Sequence, residues 1–412
     1  MAAADGALEL ADLRRLGAPD GSVSQHHVRA DLTTLGLPAD AGTIGGGDSE
    51  NKEGLDNEQE DQGPLVLVCG DGDCSYTLSL AILLQRENRR ARIVGTTLDT
   101  AEEMLKYKRY PAIRKRIEEE FSNVRLVHGV DARKIEGDKQ REIFGEGPPY
   151  AQFVLFNFPH YGGQSKVQVN RKLLGDFFLC ARQFIRAGEG QIWVSLISGQ
   201  GGTQAERFKR LLWANTWQVQ DQAAQAGLLM KDVEPAQPAL YRLAKADSEL
   251  GYRSRGYKDG DAGFHQVGSI THKFAWPHPT FCPRARFPLV WEGSLGMYYD
   301  PDHFEPDELY SRLRKHLYGA RFRAYAFDRY IEPWSRRMAR TYRIEITSLE
   351  VPVSRMYVHQ LMATLKTELL ELEELYLDRY NLRRWSKTEM REARAAGILD
   401  VPRLAAEAGV AH

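Results

Sequence analysis

The stretch from Leu65 to Asp99, LVLVCGDGDCSYTLSLAILLQRENRRARIVGTTLD, constrains the fold of this chain more than any other. Leu65 to Val68 is a short apolar run rich in β-branched residues, which reads as a buried strand. The glycine loop Gly70-Asp71-Gly72-Asp73 follows. Ser75 or Thr77 can then cap a helix in which Leu80 and Leu84 recur at helical spacing. Ala91 to Leu98 reads as a second strand closing on Asp99. Glycines let a backbone approach a ligand closely, and a helix N-terminus offers free N–H groups. An acid at the tip of the second strand can accept hydrogen bonds from a ribose. The unit predicts a nucleoside-bearing cofactor at the carboxyl ends of parallel strands.

A dinucleotide-binding turn wants G-x-G-x-x-G, with the third glycine packing helix on sheet. Ser75 occupies that third position, and Asp71 and Asp73 place two negative charges in the loop. Carboxylates repel a pyrophosphate and suit a cofactor with a cationic centre and an amino group, such as S-adenosylmethionine. The plainer reading is a turn whose aspartates only cap the helix.

Further strands are read at Val124–Val127, Phe153–Phe156 and Gln191–Leu196, alternating with helices over 101–121, 171–185 and 213–226. This is the pattern of an open, mostly parallel sheet. The strand tips then carry the glycine loop, Asp99, Asp131 and Asn157 on one edge, where such sheets bind ligands. No run of some eighteen apolar residues exists, so no membrane role is expected. The four cysteines form no CxxC pair, which argues against zinc and a disulfide framework and fits a reducing, intracellular compartment. Cys69 and Cys74 flank the loop and read as buried small residues.

Charge divides the chain. Before Gly63 there are four Lys/Arg and thirteen Asp/Glu; the remainder carries 51 and 43. An acidic segment ahead of a basic body points to nucleic acid. Five regions are expected: a mostly disordered acidic segment, 1–62; a Rossmann-like domain, 63–275; a proline-rich linker, 276–290; an α+β domain, 291–380; and a helical extension, 381–412. The strand-helix-strand-strand-helix order of the fourth is the ferredoxin-like plan, with its last strand unclear where 372–380 can also continue a helix.

At GDGDCSYTLSLA, TTLDTAEEMLKY, VHGVDARKI, FNFPHYGG and NRKLLGDFF the sequence resembles the Rossmann-like domain of ribosomal-RNA uridine-N3 methyltransferases. The resemblance implies an α/β methyltransferase sheet with helices on both faces that binds S-adenosylmethionine. It implies that Gly70, Asp71, Gly72 and Ser75 form the cofactor loop, that Asp99 holds the ribose, and that Asp131 lies near the adenine amino group. It also implies that Asn157 to His160 face the substrate base. Asp73-Cys74 stands where that family commonly has Asn-Phe. Phe304 to Leu317, Phe327-Asp328-Arg329-Tyr330 and Arg340-Thr341-Tyr342-Arg343-Ile344 look like the ferredoxin-fold anticodon-binding domain of phenylalanyl-tRNA synthetases.

The chemistry can be read from the residues. A uracil ring nitrogen is a poor nucleophile until its proton leaves, and His160 is the side chain of this segment with a near-neutral ordinary pKa, hence the candidate base. Asn157 can hydrogen-bond a uracil carbonyl while Phe158 stacks and Pro159 shapes the turn. Arg312 to Arg343 holds ten Lys/Arg interleaved with aromatics, and Arg336, Arg340 and Arg343 are the candidate RNA contacts. The expectation is an S-adenosylmethionine-dependent RNA methyltransferase acting on a uridine ring nitrogen. Its expected partner is structured RNA, ribosomal RNA ahead of transfer RNA, with ribosomal or assembly proteins beside it. No metal is expected, and the compartment is nucleolus or cytoplasm, with the mitochondrial matrix as the alternative. The competing reading is an inactive methyltransferase-like ribosome-assembly factor.

Overall fold

The computed structural model describes residues 63–162, 166–236, 252, 268–278, 284–299, 306–317, 319–331 and 338–379, with three isolated residues beyond. The chain divides near Leu289 into two compact units.

In the first unit a seven-stranded sheet has the order β3-β2-β1-β4-β5-β7-β6. Its strands are β1 (Leu65–Cys69), β2 (Arg92–Thr96), β3 (Val124–Val127), β4 (Phe153–Asn157), β5 (Gln191–Leu196), β6 (Leu229–Pro235) and β7 (Ile270–Ala275). β1 to β5 pair in parallel, and β7 lies antiparallel between β5 and β6. The reversed strand departs from the dinucleotide-binding order, in which six parallel strands run 3-2-1-4-5-6.

Side-chain alternation divides the core into two layers. Leu65, Leu67 and Cys69 of β1 join one cluster, and Val66 and Val68 join the other. The first cluster is covered by α3 (Gly137–Phe144), α4 (Val167–Ala181) and α5 (Val219–Gln225), through Ile143, Leu174, Phe177, Phe178 and Val219. The second is covered by α1 (Ser75–Arg86) and α2 (Tyr110–Glu120), through Leu78, Leu80, Ile113 and Ile117. Helices therefore flank both faces of a mostly parallel sheet, as the alternation of elements predicts.

Three expected helices have other bounds in the structure. The 101–121 segment is a 3₁₀ turn at Glu103–Lys106 and then α2, because Pro111 fits only the first helical turn. The helix expected over 171–185 is α4, which starts at Val167 and gives way to a 3₁₀ turn at Arg182–Phe184. The 213–226 helix is likewise split, with Gln218 in the left-handed region at φ 53°.

The second unit is a three-stranded antiparallel sheet, β8 (Leu289–Tyr299), β10 (Met338–Ser348) and β9 (Arg321–Ile331), in the order β8-β10-β9. α6 (Pro306–His316) and α7 (Arg355–Arg379) complete a β-α-β-β-α plan. α7 is capped by Ser354, whose Oγ accepts the Tyr357 N–H at 3.2 Å. It buries Val358, Leu361, Leu365 and Leu369. The helix continues to Arg379, so among the described residues no fourth strand follows.

Candidate active site at the carboxyl ends of the parallel strands

The loop after β1 is organised by its own carboxylates. Asp71 accepts the Thr77 N–H at 2.7 Å and the Thr77 hydroxyl at 2.7 Å, with Tyr76 N–H at 3.4 Å. Asp73 accepts the Ser75 hydroxyl at 2.5 Å and the Ser75 N–H at 3.2 Å. The capping expected of Ser75 or Thr77 is thus done by Asp71 and Asp73, because Cys74 at φ 64° turns the chain back so that both carboxylates face the first helical N–H groups. Ser75 and Thr77 are donors to them, and both are buried. Burial, followed by the neighbouring Asp73, pushes the Asp71 carboxyl up to about 7.

The two loop glycines differ. Gly70 has φ 63°, and a side chain there would meet the Phe156 ring at 2.8 Å. A Cβ on Gly72 would meet nothing within 4 Å, so its bareness serves open space beside the loop. That space continues into a cavity of about 90 Å³ lined by Gly70 to Asp73, Tyr76, Asn157, Phe158 and Tyr252. Tyr252 closes it, packing edge-on against Tyr76 with ring centroids 5.0 Å apart. Its backbone N–H donates to Ser79 Oγ at 2.9 Å.

Asn157 ends β4 at the cavity. Its Oδ1 accepts the Ser195 hydroxyl at 2.8 Å, while its Nδ2 is buried without a hydrogen-bond partner. Phe158 is left-handed at φ 49°, a strained conformation for a bulky residue. Its N–H donates to the Ser195 carbonyl at 2.9 Å, which holds the strain in place. Pro159 is buried and His160 half-buried. The His160 ring lies 6.2 Å from that of Trp217, and His160 does not line the cavity.

The other strand tips carry acids with cationic or phenolic neighbours. Asp99 accepts Lys106 Nζ at 2.7 Å and the Tyr107 hydroxyl at 2.9 Å. Arg133 forks onto Asp131, with contacts of 2.7 to 3.1 Å, and holds its carboxyl below the usual range. A ribose or an adenine amino group would share or displace these donors. Gly70, Asp71, Gly72, Asn157 and Phe158 thus line one cavity, whereas Asp99, Asp131 and His160 do not. Arg336 lies outside the described residues, as does the side chain of Arg340. Arg343 of β10 lies 3.9 Å from Glu292 of β8.

Sequence reading missed Ser195, Tyr252 and Asn170. Asn170 on α4 accepts the Tyr161 N–H at 3.0 Å and so fixes the chain just past His160. It stands inside NRKLLGDFF, one of the motifs quoted above, where an asparagine on the buried face of a helix is the visible signal.

A family model described as rRNA (uridine-N3-)-methyltransferase BTM5-like matches residues 67–243, which contain every lining residue of the cavity except Tyr252. Human ferredoxin-fold anticodon-binding domain-containing protein 1 is 29% identical over 210 residues, covering 51% of this chain and 30% of that protein. Its mouse homolog is 39% identical over 127 residues, covering 31% of this chain and 19% of the homolog. The chain thus spans a third or less of the curated relatives it matches. Among solved structures, an S-adenosylmethionine dependent methyltransferase from Mesorhizobium loti aligns with 12% identity and a TM-score of 0.29, covering 52% of this chain and 90% of that one.

Proposed function

We propose that the first unit is an S-adenosylmethionine-dependent RNA methyltransferase acting on a uridine ring nitrogen of ribosomal RNA. The observation that carries this is the cavity, lined both by Asn157, whose amide nitrogen is buried without a hydrogen-bond partner, and by a glycine loop that holds two carboxylates. The residues fit the cofactor. Gly72 leaves room for a ligand backbone, and Asp71 supplies negative potential toward a sulfonium or an ammonium group, Asp73 being offset by Arg109 at 3.6 Å. The cavity residues would hold the methionine end, and Asp99 and Asp131 at the neighbouring strand tips would hold the adenosine. The match of the same residues to an rRNA uridine-N3 methyltransferase model supports this assignment.

When bound, the cofactor supplies a methyl group whose carbon–sulfur bonding pair stays with sulfur as the new carbon–nitrogen bond forms. The protein's part is mostly positioning. Asn157 donates to a carbonyl beside the reacting nitrogen, and Phe158, held in its strained conformation, offers a ring face to the base. His160, half-buried at the end of the same segment and outside the cavity lining, is the candidate acceptor of the ring proton before transfer. The arginines of the second unit grip flanking RNA by neutralising phosphates, and the acting compartment is the one where ribosomal RNA is processed.

The test has two arms. Calorimetry with S-adenosylmethionine reads saturable binding. Labelled methyl transfer to total ribosomal RNA, followed by nucleoside mass spectrometry, reads 3-methyluridine. Absence of binding at millimolar ligand removes the enzyme reading and leaves an assembly factor on the same fold.

A further inference from the structure

Asn157, Ser195 and Thr271 stand in one row across three adjacent strands: Asn157 is in register with Ser195, and Ser195 with Thr271. Their side chains are bonded along that row. Ser195 Oγ lies 2.8 Å from Asn157 Oδ1 and 2.9 Å from Thr271 Oγ1. Ser195 is 1% exposed and Thr271 0%. A hydroxyl pair sealed in the middle of a sheet costs desolvation, which only its hydrogen bonds offset.

The direction of the bonds follows from proton counting. Each hydroxyl has one proton to give. Thr271 Oγ1 has no other hydrogen-bond partner among the described residues, and water cannot reach it. Its proton must therefore go to Ser195. Ser195, accepting there, gives its own proton to Asn157, and the atom that receives it must be the amide oxygen. The reverse direction would leave the buried Thr271 proton with no acceptor among the described residues. In the forward direction the donor left over is Asn157 Nδ2, buried without a partner on the one residue of the row that lines the cavity.

We infer that Ser195 and Thr271 are positioning residues that lock the Asn157 amide with its N–H groups toward the cavity, so that the site accepts a ring carbonyl and rejects a ring amino group. This rests on the methyltransferase reading and names the residues that enforce its choice of uridine over cytidine. Uracil offers a carbonyl oxygen on each side of its N3. Cytosine offers an amino group on one side, which against Nδ2 sets two donors face to face. A site with a fixed donor leaves that donor unpaired for the wrong base, a strong ground for rejection. Ser195 holds the segment a second time, through its carbonyl on the Phe158 N–H, so amide and ring are set from one residue.

The test is Thr271→Val, which keeps the shape and removes the proton that sets the direction, beside Thr271→Ser, which restores it. Full-length protein is assayed on total ribosomal RNA with labelled S-adenosylmethionine, and 3-methyluridine and 3-methylcytidine are counted. Thr271→Val is expected to lose about tenfold in the uridine rate and to gain cytidine product, since an unlocked amide can turn over, while its cofactor affinity stays within about twofold of wild type. Thr271→Ser is expected to recover both. In protein labelled with ¹⁵N-asparagine, the Asn157 side-chain amide signal, assigned by its loss in Asn157→Asp, shifts or broadens in the valine variant and returns in the serine variant. A valine variant with wild-type rate, wild-type uridine selectivity and an unmoved Asn157 signal overturns the lock. Should wild type bind cofactor but transfer no methyl group, the methyltransferase reading falls on that arm, and the amide signal alone decides the lock.

Discussion

Two glycine loops follow parallel strands of the first unit, and each is folded around a buried carboxylate. After β1, Asp71 and Asp73 cap the helix that follows. After β5, Glu206 accepts the N–H groups of Gly201 at 2.8 Å and Gly202 at 3.2 Å. They differ at one glycine: Gly70, at φ 63° against Phe156, is bare for the protein's own packing like the glycines of the second loop, and Gly72 is not. A side chain on Gly201 would meet His272 Nε2 at 2.8 Å, and one on Gly202, at φ 74°, would run into Thr216. Those glycines are required by the protein's own packing. Gly72 has no protein atom within 4 Å of where its side chain would be. A glycine that its own protein does not require leaves room at the loop, whereas one demanded from inside belongs to the scaffold.

The largest effect expected from this contrast is on the scaffold loop. Gly202→Val combines a left-handed backbone with a clash and should cost about 3 kcal/mol or more of stability. Thermal unfolding followed by circular dichroism reads it as a clear drop in midpoint. A midpoint no lower than that of Gly72→Val would erase the distinction between the loops.

His272 sharpens the scaffold side through pH. It is fully buried, donates from Nδ1 to the Val194 carbonyl at 3.3 Å, and meets Thr203 Oγ1 through Nε2 at 3.4 Å. Burial lowers its pKa to about 4. The folded-state value lies below the unfolded one, so the stability it contributes is present above about pH 6.5 and is lost as pH falls toward 4. Denaturant unfolding at pH 7.5 and pH 5 should differ by about 2 kcal/mol from this group. His272→Gln should remove that difference; an unchanged difference would assign it to other groups.

Gly72→Val tests the binding side. Its stability should stay within about 1 kcal/mol of wild type, since nothing is displaced. S-adenosylmethionine affinity should fall at least about tenfold because the side chain fills the approach to the loop. Calorimetry and unfolding on the same preparation separate the two effects. Lost stability with retained affinity would make Gly72 a scaffold glycine as well.

What the sequence makes legible here follows from range. The strand, loop and helix of the β1–α1 unit are local, so the apolar run, the glycines and the first helical turn are visible in a dozen residues. The cavity gathers residues far apart in the chain. Asn157 was readable as a strand tip, but its partner Ser195 lies 38 positions away and shows itself only through strand register. Tyr252 reaches Ser79 across 173 positions, with no periodic pattern to announce it. The roles of Asp71 and Asp73 were open between charge and cap, because a sequence does not say where a carboxylate turns. The reversed strand β7 also escaped, since an apolar strand carries no mark of its direction.

The smallest expected effect concerns Asp71, where cap and charge meet in one side chain. Desolvation, with Asp73 next to it, raises its carboxyl to about 7. The folded-state value exceeds the unfolded one, so its contribution to stability is full below about pH 4 and is lost as pH rises through about 7. A cationic ligand works in the opposite direction. It favours the ionised carboxylate, so its affinity should rise as pH increases across that same value, by less than about tenfold per pH unit for a single proton. Calorimetric titration of S-adenosylmethionine at pH 6, 7 and 8 should therefore give progressively tighter binding, while thermal stability of the empty protein moves the other way. Asp71→Asn keeps an acceptor for the Thr77 N–H and removes the charge, so it should flatten both profiles and bind at every pH about as weakly as wild type does in acid. Affinity flat from pH 6 to 8 in the wild type would mean that the Asp71 charge is not felt at the ligand. The carboxylate would then serve the helix alone, and the loop after β1 would join the loop after β5 as scaffold.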